Sequence, residues 1–164
     1  MSSSDHVTCA PGPYWYEDLS IGQVVEGPGR TLTETDLVMF SMITGDWHAI
    51  HADEPYASGT KAGGRMFHGT FGIALTMAMT ADLLPLRNPI ISALGIREWA
   101  FRAPLFIADT VHSDLEIIEK RVTSDGRRAV ISRRLRLIKQ DDVIAHEGVA
   151  DLMVQLASKR EPSN

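Results

Sequence analysis

"TFGIALTMAMTADLL", residues 70–84, is the stretch on which the fold turns. Phe71, Ile73, Ala74, Leu75, Met77, Ala78, Met79, Ala81, Leu83 and Leu84 point to every side of a 3.6-residue helix and leave almost no polar face. Such a helix predicts burial all round, and Pro85 predicts its end. The run is too short to span a bilayer and contains Asp82, so it reads as core. From Ile90 onward the period changes to two. Leu115 and Ile117 alternate with Asp114 and Glu116, and Asp125-Gly126 marks a hairpin before a strand over Val130 to Ile138. Asp141-Asp142 marks another turn, after which Ile144, His146, Gly148, Ala150, Leu152, Val154 and Leu156 share one face. Four long strands joined by tight turns predict an antiparallel meander, and one sheet covers a helix that is apolar throughout only by curling around it. The expected class is α+β, an antiparallel sheet wrapped around a long buried central helix.

Upstream of this unit the pattern is more broken. Gln23 to Thr31 is interrupted by Gly27-Pro28-Gly29 and predicts two short extended pieces. Thr33 is a candidate N-cap, with Glu34 and Asp36 in the first turn, for a helix to Ile43 that buries Leu37 and Phe40 and stops at Gly45. A second short helix is expected from Asp53, with Pro55 in its first turn and Gly59 at its end. Lys61 and Arg65 sit on the glycine-rich loop that follows.

The chain has 164 residues, 44% hydrophobic and 23% charged, as one domain requires. That domain is expected over residues 14–157, between a Ser-rich disordered tail over 1–13 and a frayed polar tail over 158–164. A formal net charge of −5 argues against nucleic acid or an anionic membrane as partner, because no positive field would attract them. No basic run followed by an apolar stretch opens the chain, and a cytoplasmic location is expected. Cys9 is the only cysteine, so no internal disulfide can form, and it reads as chemically idle.

"TGDWHAIH", Thr44 to His51, concentrates an acid and two histidines after the predicted helix end. On one continuous helix Asp46 and His51 would diverge by roughly 140°. A loop that turns back would instead bring carboxylate and imidazole to one water, the geometry of general acid-base work. The spacing alone equally fits a turn-capping aspartate and a packed histidine. His68-Gly69 adds a third part. Gly69 opens the apolar helix, where free N–H groups favour negative charge and a glycine admits a ligand carbonyl. An acid-base pair with an N–H donor suits chemistry beside a carbonyl.

Through "YWYEDLSIGQ", "TLTETDLVMFSMITGDWHAIHADEPYA", "GGRMFHGTFG" and "FRAPLFIADTV", the chain resembles the MaoC-like dehydratases, which include the R-specific enoyl-CoA hydratases of the hot dog fold. The specific part is Gly45-Asp46 followed by Ile50-His51-x-Asp53, then His68-Gly69 before a helix. The resemblance implies a hydro-lyase acting on 2-enoyl-CoA thioesters, with Asp46 and His51 catalytic and Gly69 the oxyanion donor. It further implies a homodimer joined edge to edge through its sheets, with an acyl-CoA tunnel near the interface and no cofactor. Two positions depart from the family pattern: His48-Ala49 stands in place of Asn-Pro, and Ala108 in place of a glycine before Asp109.

His48 is then a substrate-facing ring or a solvated replacement, and Trp47 walls the acyl pocket or packs its loop. His68 borders the substrate. Lys61, Arg65, Arg97 and Arg102 are candidate partners for CoA phosphates. Met66, Met77 and Met79 line a tunnel or fill the core, and Trp99 reads as core or interface. His146, on an apolar register, reads as a hydrogen-bonded core histidine, and His6 and His112 have no constellation. Asp46, His48, His51 and Asp53 match no strong zinc spacing, so no metal is expected. A thioesterase on the same fold and a non-catalytic acyl-CoA binder are the rival functions.

Overall fold

The computed structural model describes residues 13–156. Cys9, His6, the two predicted tails and the boundary at residue 157 lie outside that range. A 3-10 turn at Tyr16–Asp18 leads to β1 (Val24–Glu26) and β2 (Arg30–Thr31), on either side of the Gly-Pro-Gly bend. Gly27 is needed there for close packing, because a Cβ would lie 2.9 Å from Leu83. Then come α1 (Glu34–Thr44), α2 (Ala49–Ala52), α3 (Glu54–Ser58) and α4 (Gly69–Ala81). Four long strands close the chain: β3 (Ile90–Phe101), β4 (Thr110–Val122), β5 (Arg128–Lys139) and β6 (Ile144–Gln155).

Local signals set the helix ends. Thr33 caps α1 in a capping box with Asp36, whose Oδ2 accepts the Thr33 N–H at 2.8 Å. Gly45, at φ 74°, ends the helix in the left-handed conformation that only glycine adopts cheaply. Asp53 caps α3 by accepting the Tyr56 N–H at 3.0 Å. The sheet is antiparallel in the order β1-β4-β5-β6-β3, with β2 also on β4. Strands β4, β5 and β6 form the predicted meander, but β3 does not join it at β4. Strands β1 and β2 occupy that side of β4, so the chain crosses through residues 102–109 and β3 lies against β6.

This is an α+β hot dog arrangement, with α4 laid on the sheet. Two cores meet there: Tyr16, Leu115, Ile117, Ile131 and Leu152 pack toward one end, and Leu32, Leu37, Phe67, Phe71 and Leu137 toward the other. Within the single chain α4 is not covered on every side. Phe71, Gly72, Leu75, Thr76 and Thr80 are buried, while Thr70, Ala74, Ala78 and Ala81 form an exposed stripe. The two threonines on the buried side return their hydroxyls to Gly72 and Thr76 carbonyls at 2.6 and 2.8 Å, so they pack as apolar groups. Helix α4 also ends at Ala81, before Leu83 and Leu84. No helix among the described residues is long and apolar enough to cross a membrane.

The turn into β4 explains one departure from the family pattern. Ala108 sits at φ 71°, a conformation that costs a residue with a Cβ about 1 kcal/mol or more. Asp109, 8% exposed, holds this turn: it accepts the Phe106 N–H at 2.7 Å and pairs with Lys139 at 2.9 Å.

Candidate active site

Gly45 releases the chain from α1, so Asp46 lies in a loop and only His51 is helical. The 140° divergence of a continuous helix therefore never arises. Asp46 Oδ1 accepts the His48 N–H at 3.1 Å, which bends the loop toward α2. His48 caps α2: its Nδ1 accepts the Ile50 N–H at 3.2 Å. This side chain does the work that an asparagine can do at an N-cap. His51, on the third residue of α2, points its Nδ1 at the Met66 carbonyl, 2.7 Å away. A carbonyl only accepts, so Nδ1 carries the proton and Nε2 keeps its lone pair.

His68, the residue before α4, is 3% exposed and stacks on His51 with ring centroids 3.7 Å apart. Its Nε2 donates to the Asp46 backbone carbonyl at 2.9 Å and lies 3.8 Å from Asp46 Oδ2. Ligand-type atoms of Asp46, His51 and His68 all lie within 4.8 Å of one another. His68 Nε2 is committed to a carbonyl, and Asp53 is committed to capping α3. Burial lowers the His51 pKa below its ordinary value, and the neighbouring His68 and His48 rings lower it further. The Met66 carbonyl and the Asp46 carboxylate pull the other way without reversing the direction. His51 is therefore a neutral base near pH 7.

Gly69 is the first residue of α4, where the helix supplies no acceptor for its N–H. A cavity of about 480 Å³ opens beside it, with a mostly apolar wall that includes Met66, Phe67, Phe101 and Leu105. A Cβ on Gly69 would come 3.0 Å from the Phe101 ring, so the glycine lets that ring pack close to the start of α4. Asp46 and His51 are not on the cavity wall itself; His51 adjoins it through Met66.

The chain belongs to the MaoC-like dehydratase family. A MaoC-like domain matches residues 18–135. The chain is 32% identical over 115 residues to a 3-hydroxybutyryl-CoA dehydratase of Methylorubrum extorquens, covering 70% of this chain and 69% of that one. It is 27% identical over 104 residues to an (R)-specific enoyl-CoA hydratase of Rhodospirillum rubrum, covering 63% and 69%. The crystal structure of a monoamine oxidase regulatory protein of Archaeoglobus fulgidus superposes with a TM-score of 0.81 at 26% identity, over 88% and 96% of the two chains.

The remaining predicted residues of this MaoC-like chain fall around the cavity with different fates. Lys61 lines the cavity and is exposed. Arg102 also lines it, but its guanidinium is held by Glu147 at 2.9 and 2.5 Å. Arg65 is bound to Glu34 at 2.7 Å and to Glu54 at 3.1 Å, and Arg97 is held by Asp151 and Glu98. These three arginines are already neutralised. Trp47 is 52% exposed at the loop surface. Met66 contributes to the cavity, while Met77 and Met79 pack against the two cores. His146, expected as a hydrogen-bonded core or interface histidine, is buried as expected but not hydrogen-bonded. It lines the cavity, is 3% exposed, and has a buried Nδ1 with no hydrogen-bond partner. Its apolar register signalled burial correctly; the missing partner left no trace in the sequence.

Proposed function

We propose that this chain adds water to a 2-enoyl-CoA thioester, or removes it from the 3-hydroxyacyl-CoA, by acid-base catalysis at Asp46 and His51. The observation that carries this reading is the convergence of the Asp46 carboxylate and the His51 imidazole on His68, the residue that precedes Gly69. In hydration, His51 Nε2 and Asp46 hold a water over the β-carbon and take one of its protons. The hydroxyl bonds to the β-carbon, and the electron pair of the double bond moves toward the thioester. The Gly69 N–H stabilises the resulting oxyanion, and the α-carbon then receives a proton from the same acid-base pair. The names of the two curated relatives support the substrate class.

In this reading Lys61 is the free cation nearest the cavity and meets a CoA phosphate, while Trp47 and His48 flank the entrance. A second copy of the chain pairs along β3, whose outer edge has no strand partner among the described residues and exposes Ile90, Ile91, Leu94 and Ile96. Crotonyl-CoA hydration, followed by loss of absorbance of the conjugated thioester, tests the assignment. Asp46→Asn and His51→Gln should each lower the rate by about 10²–10⁴ while the protein stays folded. Wild-type rates in both variants would overturn it, and release of free thiol instead of hydration would favour a thioesterase.

A further inference from the structure

His146 sits where a core residue has no reason to be polar. It stands on β6 opposite Leu137, in the row that faces α4. Its ring fills the space left by Gly72: a Cβ there would collide with Cε1, Nδ1 and Nε2 of the imidazole. Phe101 meets it edge-on at 5.1 Å between centroids, and Trp99 at 6.4 Å. A neutral imidazole carries one N–H and one lone pair. Neither ring nitrogen has a hydrogen bond among the described residues; Nδ1 is wholly enclosed against Gly72, so Nε2 is the atom left for a ligand to reach. Burial pushes the pKa down to about 4, so no charge at neutral pH compensates for the missing partners. A buried polar ring without partners is a costly feature unless something else supplies them.

The cavity is the place from which a partner for Nε2 can come. His146 forms part of its wall together with Gly69 and Phe101. Phe101 lies against the Cβ side of Gly69 on one side and the His146 ring on the other. An acyl chain with its carbonyl at Gly69 would therefore pass His146 a few bonds farther along.

We propose that His146 is a specificity-determining residue, hydrogen-bonding an uncharged polar substituent, a hydroxyl or a keto group, carried by the acyl chain beyond its reacting carbons. The inference rests on the hydratase reading and narrows its substrate class. A carboxylate bonded to the ring itself is disfavoured, because the imidazole is uncharged and the rings packed against it, Phe101 and Trp99, cannot solvate an anion. A plain chain leaves the imidazole unsatisfied, and a site with an unpaired polar group discriminates against the ligand that fails to pair it.

The test compares kcat/KM for 2-hexenoyl-CoA with the same chain bearing a hydroxyl, a keto group or a terminal carboxylate. Wild type should favour the hydroxyl or keto chain by about tenfold, the worth of one net neutral hydrogen bond. His146→Phe, which keeps a ring but no polar atom, should erase that ratio, and His146→Gln should keep part of it. An unchanged ratio in His146→Phe, or a wild-type preference for the plain or carboxylated chain, would overturn the proposal. Turnover of plain 2-hexenoyl-CoA by wild type tests the hydratase reading separately. Calorimetric binding of the saturated plain and hydroxylated acyl-CoAs supplies the same comparison without turnover: equal affinity of wild type for the two would also overturn it.

Discussion

The buried imidazole of His146 makes a prediction about stability that needs no ligand. Its pKa falls from 6.5 to about 4 in the folded chain because burial removes the water that would solvate the cation. Between those two values the unfolded chain binds a proton that the folded chain does not. Stability from this residue is therefore complete above pH 6.5 and is lost as the pH falls toward 4. At about 1.4 kcal/mol per pH unit, the full loss is about 3 kcal/mol. Carboxylates also titrate in this window, so the measurement is a double difference. Urea unfolding of wild type and His146→Phe, at pH 7 and pH 4.5 and at one protein concentration, isolates the histidine. Wild type should lose about 2–3 kcal/mol more than the variant between the two conditions. Equal losses in the two proteins would refute the reasoning, since they would mean that the imidazole is protonated as easily folded as unfolded. A variant that is less stable at both pH values does not bear on the argument, which concerns only the slope.

Three further outcomes follow from the geometry. The pH–rate profile should have an acid limb whose midpoint lies below 6.5, because burial lowers the His51 pKa and only the neutral ring serves as base; initial rates across pH 5–8 will show it. His48→Ala removes the cap of α2 and should cost about 1 kcal/mol locally, with a lower kcat from a displaced His51, whereas His48→Asn should restore both. Steady-state kinetics with thermal melts distinguish the two variants. Ala108→Gly should stabilise the protein by about 1 kcal/mol, read from the urea midpoint, because it relieves a left-handed Ala at φ 71°.

What the sequence made legible is what short-range pattern carries. The apolar run of α4, the period-two strands and the turns at Gly126 and Asp142 are local, and each appears, with α4 ending three residues short of the expected Leu84. Strand order is not local. Nothing in Ile90 to Phe101 states that its neighbour is β6, because that choice depends on β1 and β2 already lying against β4. The alanine stripe on α4 misled for a related reason: Ala is apolar enough to read as core, yet small enough to remain at a surface at little cost. Asp46 and His51 were legible because one bent segment holds both. The cations were not, since Arg65 finds Glu34 and Arg102 finds Glu147 far along the chain, where a sequence shows only charges.

Strand β3 ties these non-local features to the cavity. Its register against β6 breaks between Arg97 and Ala100, where Glu98 takes φ 55°. An extra residue in one strand bends it and re-aims the side chains that follow. Here the bend lays Trp99 over Gly148, where a Cβ would collide with the indole, and brings Phe101 against Gly69 and His146. The other edge of this strand has no strand partner among the described residues, and Ile90, Leu94 and Ile96 are each about half exposed. A free strand edge is the part of a sheet most able to flex or to accept a partner. Phe101, which lines the cavity, is thus mounted on a long strand that, among the described residues, is bonded on a single side. In the proposed assembly, a second copy paired along that edge would hold Phe101 and Trp99 in place, which would couple pairing to the shape of the cavity.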